Sequence, residues 1–174
     1  CSILIKIINN MKKLMIMALM LIGFSISAFA QNWGVGINLG YGNEISKPSL
    51  GVKALYDINE SFTLAPSFNI YLPETEEYSG YESKLNYWDL NLDLHWTCYD
   101  DDMYQLYPIV GVTYLNAKVS VDGYNESEGK FGVNLGFGGQ MYLTEIWLIS
   151  AEVKYQIIDN VNQLVPSLSL VYKF

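Results

Sequence analysis

The sequence predicts an all-β protein, an eight-stranded antiparallel up-and-down transmembrane β-barrel preceded by a cleaved signal peptide, and three observations carry that prediction. The chain has 174 residues, 51% of them apolar or aromatic and 16% charged. That is one domain's worth of material, far from the low hydrophobicity and high net charge of a disordered chain. From Trp33 onward apolar residues recur at every second position, a period that a strand satisfies and a helix does not. The chain closes on the same alternation, Leu168, Leu170, Tyr172 and Phe174, with an aromatic last residue.

The first element is a targeting segment. Met11, Lys12 and Lys13 open a basic stretch, Leu14 to Ile26 form an apolar run, and Ala28 and Ala30 close it with small residues at alternate positions. This is the pattern of a secretory signal peptide, Met11–Ala30, with cleavage after Ala30. The run is shorter than the roughly 20 residues a spanning helix needs. Residues 1–30 are therefore expected to be upstream sequence plus leader, and 31–174 the barrel domain. Cleavage removes Lys6, Lys12 and Lys13 and leaves 7 Lys against 18 acids, a formal charge of −11. Every basic residue is Lys, so the chain has no arginine fork for phosphates or base edges, and nucleic acid is excluded as a partner. Cys98 is the one cysteine after the leader, which leaves no disulfide within residues 31–174.

Eight apolar rows follow. Trp33, Val35, Ile37, Leu39 and Tyr41 form the first, and Leu50, Val52, Ala54 and Tyr56 the second. Phe62, Leu64, Pro66, Phe68, Ile70 and Leu72 make the third. The fourth, Trp88, Leu90, Leu92, Leu94 and Trp96, is interleaved with Asp89, Asn91, Asp93 and His95. The fifth runs through Leu106, Pro108, Val110, Val112 and Tyr114, and the sixth from Phe131 to Leu143. Ile149 to Ile157 and Pro166 to Phe174 give the last two. An even strand count places both termini on one side, where short turns are expected; loops at 42–48, 73–84, 121–129 and 158–163 are expected on the other, outside the cell.

Alternation alone does not say which face meets water, and a soluble, secreted lipocalin-like barrel would carry these same rows inside. Two features favour lipid outside. The polar rows carry Gly34, Gly36, Gly40, Gly51, Gly111, Gly132, Gly136 and Gly138, which suits a narrow interior better than a solvated sheet surface. Aromatic residues end the apolar rows, as girdles at two lipid interfaces would. Pro66, Pro108 and Pro166 inside strand patterns favour neither barrel and are expected at local bulges.

The ending Leu168-Ser169-Leu170-Val171-Tyr172-Lys173-Phe174 resembles the C-terminal assembly signal of bacterial outer-membrane barrels. With Trp33 to Tyr41 and Gly132 to Leu143, the chain resembles the small OmpA/OmpX-type barrels and the related PorT-type proteins. The resemblance implies residence in the outer membrane of a Gram-negative bacterium, contact with outer-membrane lipid, and recognition of Tyr172 and Phe174 by the barrel assembly machinery. Family roles that need an internal Arg or a peptidoglycan-binding domain do not carry over to this sequence.

Candidate chemistry centres on the polar rows. Lys53, Asp93, Glu152 and Lys154 fall at similar depth, and charges in a narrow lumen must pair, because isolating one costs several kcal/mol. They are expected to form a structural charge cluster that fills the lumen, rather than an open path for ions. The expected role is structural or interactive at the surface; a small-molecule conduit or binder is the alternative. His95 is the only histidine. Ser67, Ser150, Ser167 and Ser169 could serve it as nucleophiles, yet no spacing selects one, so no catalytic residue, metal or cofactor is expected. Asp100 to Asp102 and Glu74, Glu76, Glu77 and Glu82 are oxygen-rich without the spacing of a calcium loop. With Tyr78, Tyr81 and Tyr124, the outer acids form a surface that could contact a partner.

Overall fold

The computed structural model describes residues 32–72, 74–78, 81–121 and 124–174; the leader and the side chains of 74–78, 81–85, 119–121 and 124–125 lie outside the description. Ten strands follow in order: β1 (Trp33–Gly42), β2 (Lys47–Asp57), β3 (Phe62–Tyr71), β4 (Glu74–Tyr78), β5 (Tyr81–Trp96), β6 (Tyr99–Asp100), β7 (Tyr104–Val121), β8 (Tyr124–Tyr142), β9 (Trp147–Ile158) and β10 (Gln163–Lys173). The sheet order is β4-β5-β3-β2-β1-β10-β9-β8-β7-β6, and pairing of β5 with β7 closes it. All the pairings are antiparallel. β4 and β6 are short additions, so the wall is a closed eight-stranded barrel, and closure removes the edges that an open sheet would expose.

The faces are those of a membrane-spanning barrel. On β2, Val52 is 56% exposed while Lys53 is 3% exposed; on β5, Leu92 is 46% exposed and Asp93 0%. A soluble barrel would bury the first of each pair and expose the second, so the lipocalin-like alternative is excluded. Two aromatic belts bound the apolar wall. At the end carrying the termini, Trp33 lies against Tyr56 with ring centroids 4.8 Å apart, and Trp147, Tyr172 and Phe174 form a chain with 5.2 Å spacings. At the far end Phe68, Trp88, Tyr114 and Phe131 lie against one another with tilted rings across four neighbouring strands, centroids 5.8, 5.6 and 4.8 Å apart.

Two expectations are corrected. The segments 73–84 and 121–129 are not long loops: β4 pairs with β5 from Glu74↔Leu85 to Tyr78↔Tyr81, and the β7–β8 ladder runs to Val121↔Tyr124. The wall on this side stands taller because backbone pairing between neighbouring strands continues where apolar alternation stops. The prolines do not mark bulges either. The β2–β3 ladder skips Pro66 between Lys53↔Ser67 and Tyr56↔Leu64 without changing register, the β5–β7 ladder ends at His95↔Ile109 beside Pro108, and the β1–β10 ladder ends at Gly40↔Ser167 beside Pro166. Each proline sits where one of its two ladders is interrupted or ends, the place its missing N–H is tolerated. The tight turns between β1 and β2 and between β9 and β10 use left-handed residues, Ser46 at φ 51° and Asn160 at φ 63°.

Candidate functional site

The side chains that alternate inward meet in the lumen in three layers. Nearest the termini is an apolar layer, Leu55, Ala65, Leu148 and Val171, with Tyr142 against it. At the far end a second apolar layer gathers Tyr71, Leu115 and Ile158, flanked by Ile45, Tyr87 and Val161. Between them lie the charges and amides.

Lys53 from β2 reaches across the lumen and donates to Glu152 Oε1 of β9. The same oxygen accepts from the Tyr107 hydroxyl at 2.9 Å. Lys154 Nζ donates to Asp93 Oδ2 at 2.8 Å, and Asn134 Nδ2 donates to the other Asp93 oxygen at 2.7 Å. The four charged residues singled out in the sequence thus form two ion pairs, Lys53 with Glu152 and Lys154 with Asp93. Glycines at the paired positions of neighbouring strands make the space: a Cβ at Gly111 would land on Asp93 Oδ1, and one at Gly138 would lie 2.5 Å from Tyr107 Cε2 and 2.8 Å from Glu152 Cγ.

The interior holds more than those four residues. Asp89 is buried and accepts three hydrogen bonds, from the Tyr71 hydroxyl at 2.6 Å, Asn69 Nδ2 at 2.7 Å and Asn91 Nδ2 at 2.6 Å. Asn134 also donates to Asn91 Oδ1 at 2.9 Å, which accepts from Gln156 at 3.0 Å; Gln163 donates to Gln156 at 2.6 Å. Ser169 donates to Asn38, which donates to Asn69, both at 2.8 Å. Buried polar groups in a wall with lipid outside it have only one another and trapped water to bond. Asp89 and Asn91 are already visible in the sequence as polar positions interleaved with the fourth row; the other amides carry no signal beyond phase, since they sit on the same alternating rows as the charged residues.

His95 stacks on Tyr107 with centroids 4.4 Å apart and planes 8° from parallel. Its Nε2 lies 3.8 Å from Glu152 Oε1 without a hydrogen bond. The Ser67 and Ser167 hydroxyls also lack partners, so neither is engaged with the imidazole as a nucleophile–base pair would be. Among the described residues no group of three or more His, Cys, Asp or Glu is arranged to hold a metal. Asp101 and Asp102 build a turn, with Asp102 N–H donating to Asp101 Oδ1 at 2.9 Å. Cys98 is exposed.

Residues 16–174 match the family described as outer membrane protein beta-barrel domain. The chain belongs to that family. Its place is therefore the bacterial outer membrane. No curated protein sequence matches the chain. Solved structures share the family's fold. Neisserial surface protein A, NspA, superposes with a TM-score of 0.65 at 14% identity, covering 82% of this chain and 96% of that one. The N-terminal barrel domain of Pseudomonas aeruginosa OprF gives 0.63 at 15% identity, covering 83% and 98%. Ail, the attachment invasion locus protein of Yersinia pestis, gives 0.57 at 21% identity, covering 82% and 97%; it has also been solved in complex with the heparin analogue sucrose octasulfate.

Proposed function

We propose that this protein is a closed barrel with a structural or surface-interaction role, not an open porin and not an enzyme. The observation that carries the reading is the three-layer interior, in which an apolar layer lies on each side of the paired charges. An eight-stranded barrel encloses just enough room for side chains, so an ion crossing it would have to displace both apolar layers and compete with two ion pairs. In this reading Lys53, Asp93, Glu152 and Lys154 are structural residues that knit β2, β5 and β9 across the lumen. Residues 31–174 are the mature barrel left after signal cleavage, and Tyr172 and Phe174 are the signal read by the barrel assembly machinery.

Contact with a partner then belongs to the far end, where Glu126 and Glu128 are exposed on the extended β8. Lys130 lies 3.5 Å from Glu128, so the exposed charge that opposes a sulfated ligand such as the one solved with Ail, and suits a cationic partner, is that of Glu126. The test is conductance of the purified barrel in a planar phospholipid bilayer. A closed barrel gives no regular single-channel steps; reproducible steps of one size would overturn the reading and restore the conduit alternative.

A further inference from the structure

Four strands rise above the rest of the wall. Among the described residues β4 pairs with β5 alone, and β8 from Tyr124 to Phe131 with β7 alone, because the β8–β9 ladder starts at Gly132↔Ile158. The register of this free sheet sorts its residues by type. One row across β4, β5, β7 and β8 reads Glu74, Leu85, Val119 and Glu126, an acid at each edge with two apolar residues between. The next row down reads Tyr87, Ala117 and Glu128 on β5, β7 and β8, and the period of two puts both rows on one face. Lys84 and Lys118 fall on the other face by the same alternation. Lys130 and Lys47 stand at the foot of the sheet, Lys130 3.5 Å from Glu128 and Lys47 over the Tyr87 ring at 5.5 Å. The foot is itself apolar, since half-buried Ile45, Tyr87 and Val161 pack on the far apolar layer of the lumen.

These rows make an apolar strip two strands wide between acidic edges, and its dimensions and charge select the occupant. Three strand spacings separate β4 from β8, about 14 Å, and the strip rises about 20 Å from Tyr87 to Tyr81. An α-helix with its side chains is about 10–12 Å across, and about 13 residues of helix cover that height. A strand added at one edge would leave the strip bare. A second copy of this chain would set acids against acids, since residues 31–174 hold 7 Lys and 18 acids. We propose that this face docks an amphipathic helix of another protein or peptide, one whose apolar stripe is flanked on both sides by Lys or Arg. The stripe covers the positions of Leu85, Val119 and Ala117, and the flanking cations meet Glu74 at one edge and Glu126 at the other. This deepens the surface role proposed above and rests on it: the cationic partner at the far end becomes a helix held along both sides.

The test uses the full barrel in phosphatidylcholine nanodiscs, with empty nanodiscs as the blank, and two fluorescent peptides of about 14 residues with identical Leu and Lys content. In one the leucines form a single helical stripe with lysines on both flanks; in the other the order is scrambled so that no stripe forms. Anisotropy titration should show the striped peptide binding about tenfold more tightly or better, from the apolar area it alone can bury. Glu74→Gln combined with Glu126→Gln should weaken it several-fold and flatten its salt dependence. Ala117→Lys, which sets a cation in the strip, should abolish the preference for the striped peptide; Val119→Lys serves if that variant loses its folded gel mobility. Equal binding of the two peptides overturns the helix and leaves a cationic partner at the far end standing, whereas binding of neither overturns both. A preference for the striped peptide that none of the variants changes would put the helix elsewhere on the barrel and overturn the proposal as well.

Discussion

Replacing Asp93 by alanine breaks one of the two buried ion pairs of the lumen. The carboxylate is 0% exposed and accepts hydrogen bonds from Lys154 at 2.8 Å and Asn134 at 2.7 Å. Asn134 retains its bond to Asn91, so the cost falls on Lys154, left as a buried ammonium without its partner. Breaking one side of a buried pair costs about 3–5 kcal/mol. With a urea dependence of about 2 kcal/mol per molar, the unfolding midpoint should fall by about 2 M. The assay is urea unfolding in phospholipid vesicles, read from the mobility of unboiled samples on a detergent gel. Asp93→Leu combined with Lys154→Met removes both charges and should recover most of the loss, since apolar replacement of a whole buried pair is often neutral. A single-variant shift below about 0.5 M, or a double variant as weak as the single, would refute the pairing argument.

Further outcomes follow from other contacts. Gly138→Val pushes a side chain into Tyr107 and Glu152 and should destabilise the barrel by about 1–3 kcal/mol, whereas Gly139→Ala one residue away, on the lipid face, should stay within about 0.5 kcal/mol; the same urea assay compares them. Tyr71→Phe removes the 2.6 Å hydrogen bond to Asp89 and should cost about 1.5–3 kcal/mol, the range for hydrogen bonds to charged groups. Phe174→Ala keeps the backbone bond from residue 174 to the Trp33 carbonyl at 3.0 Å; refolding in vesicles should therefore persist while the amount of folded protein in outer-membrane fractions of expressing cells drops. Equal loss in both settings would move the role of Phe174 from assembly to stability.

The period-two rows were readable from the sequence because lipid outside and polar side chains inside enforce alternation over the whole spanning length. The upper parts of β5, β7 and β8 were not. Segments such as Glu74 to Glu77 and Glu126 to Gly129 carry no apolar row, and their strand state depends on pairing with a neighbour that is itself extended. Leu55, Leu115, Leu148 and Val171 break the polar phase of their rows, and only the closed barrel shows why: they gather into the two apolar layers. The pairing of Lys53 with Glu152 instead of Asp93 follows from the stagger of the strands, which brings β2 and β9 to the same height across the lumen. Stagger is a property of all eight registers together and leaves no mark on any one strand.

Tryptophan fluorescence tests the inside-out arrangement most directly. All four tryptophans, Trp33, Trp88, Trp96 and Trp147, stand on lipid-facing rows at the aromatic belts and none lies in the lumen. Reconstituted in vesicles of phospholipids brominated at different depths, the barrel should be quenched strongly by bromines near the headgroups and weakly by bromines at the chain ends. No quenching at any depth, or quenching strongest at the bilayer centre, would contradict the assignment of the faces.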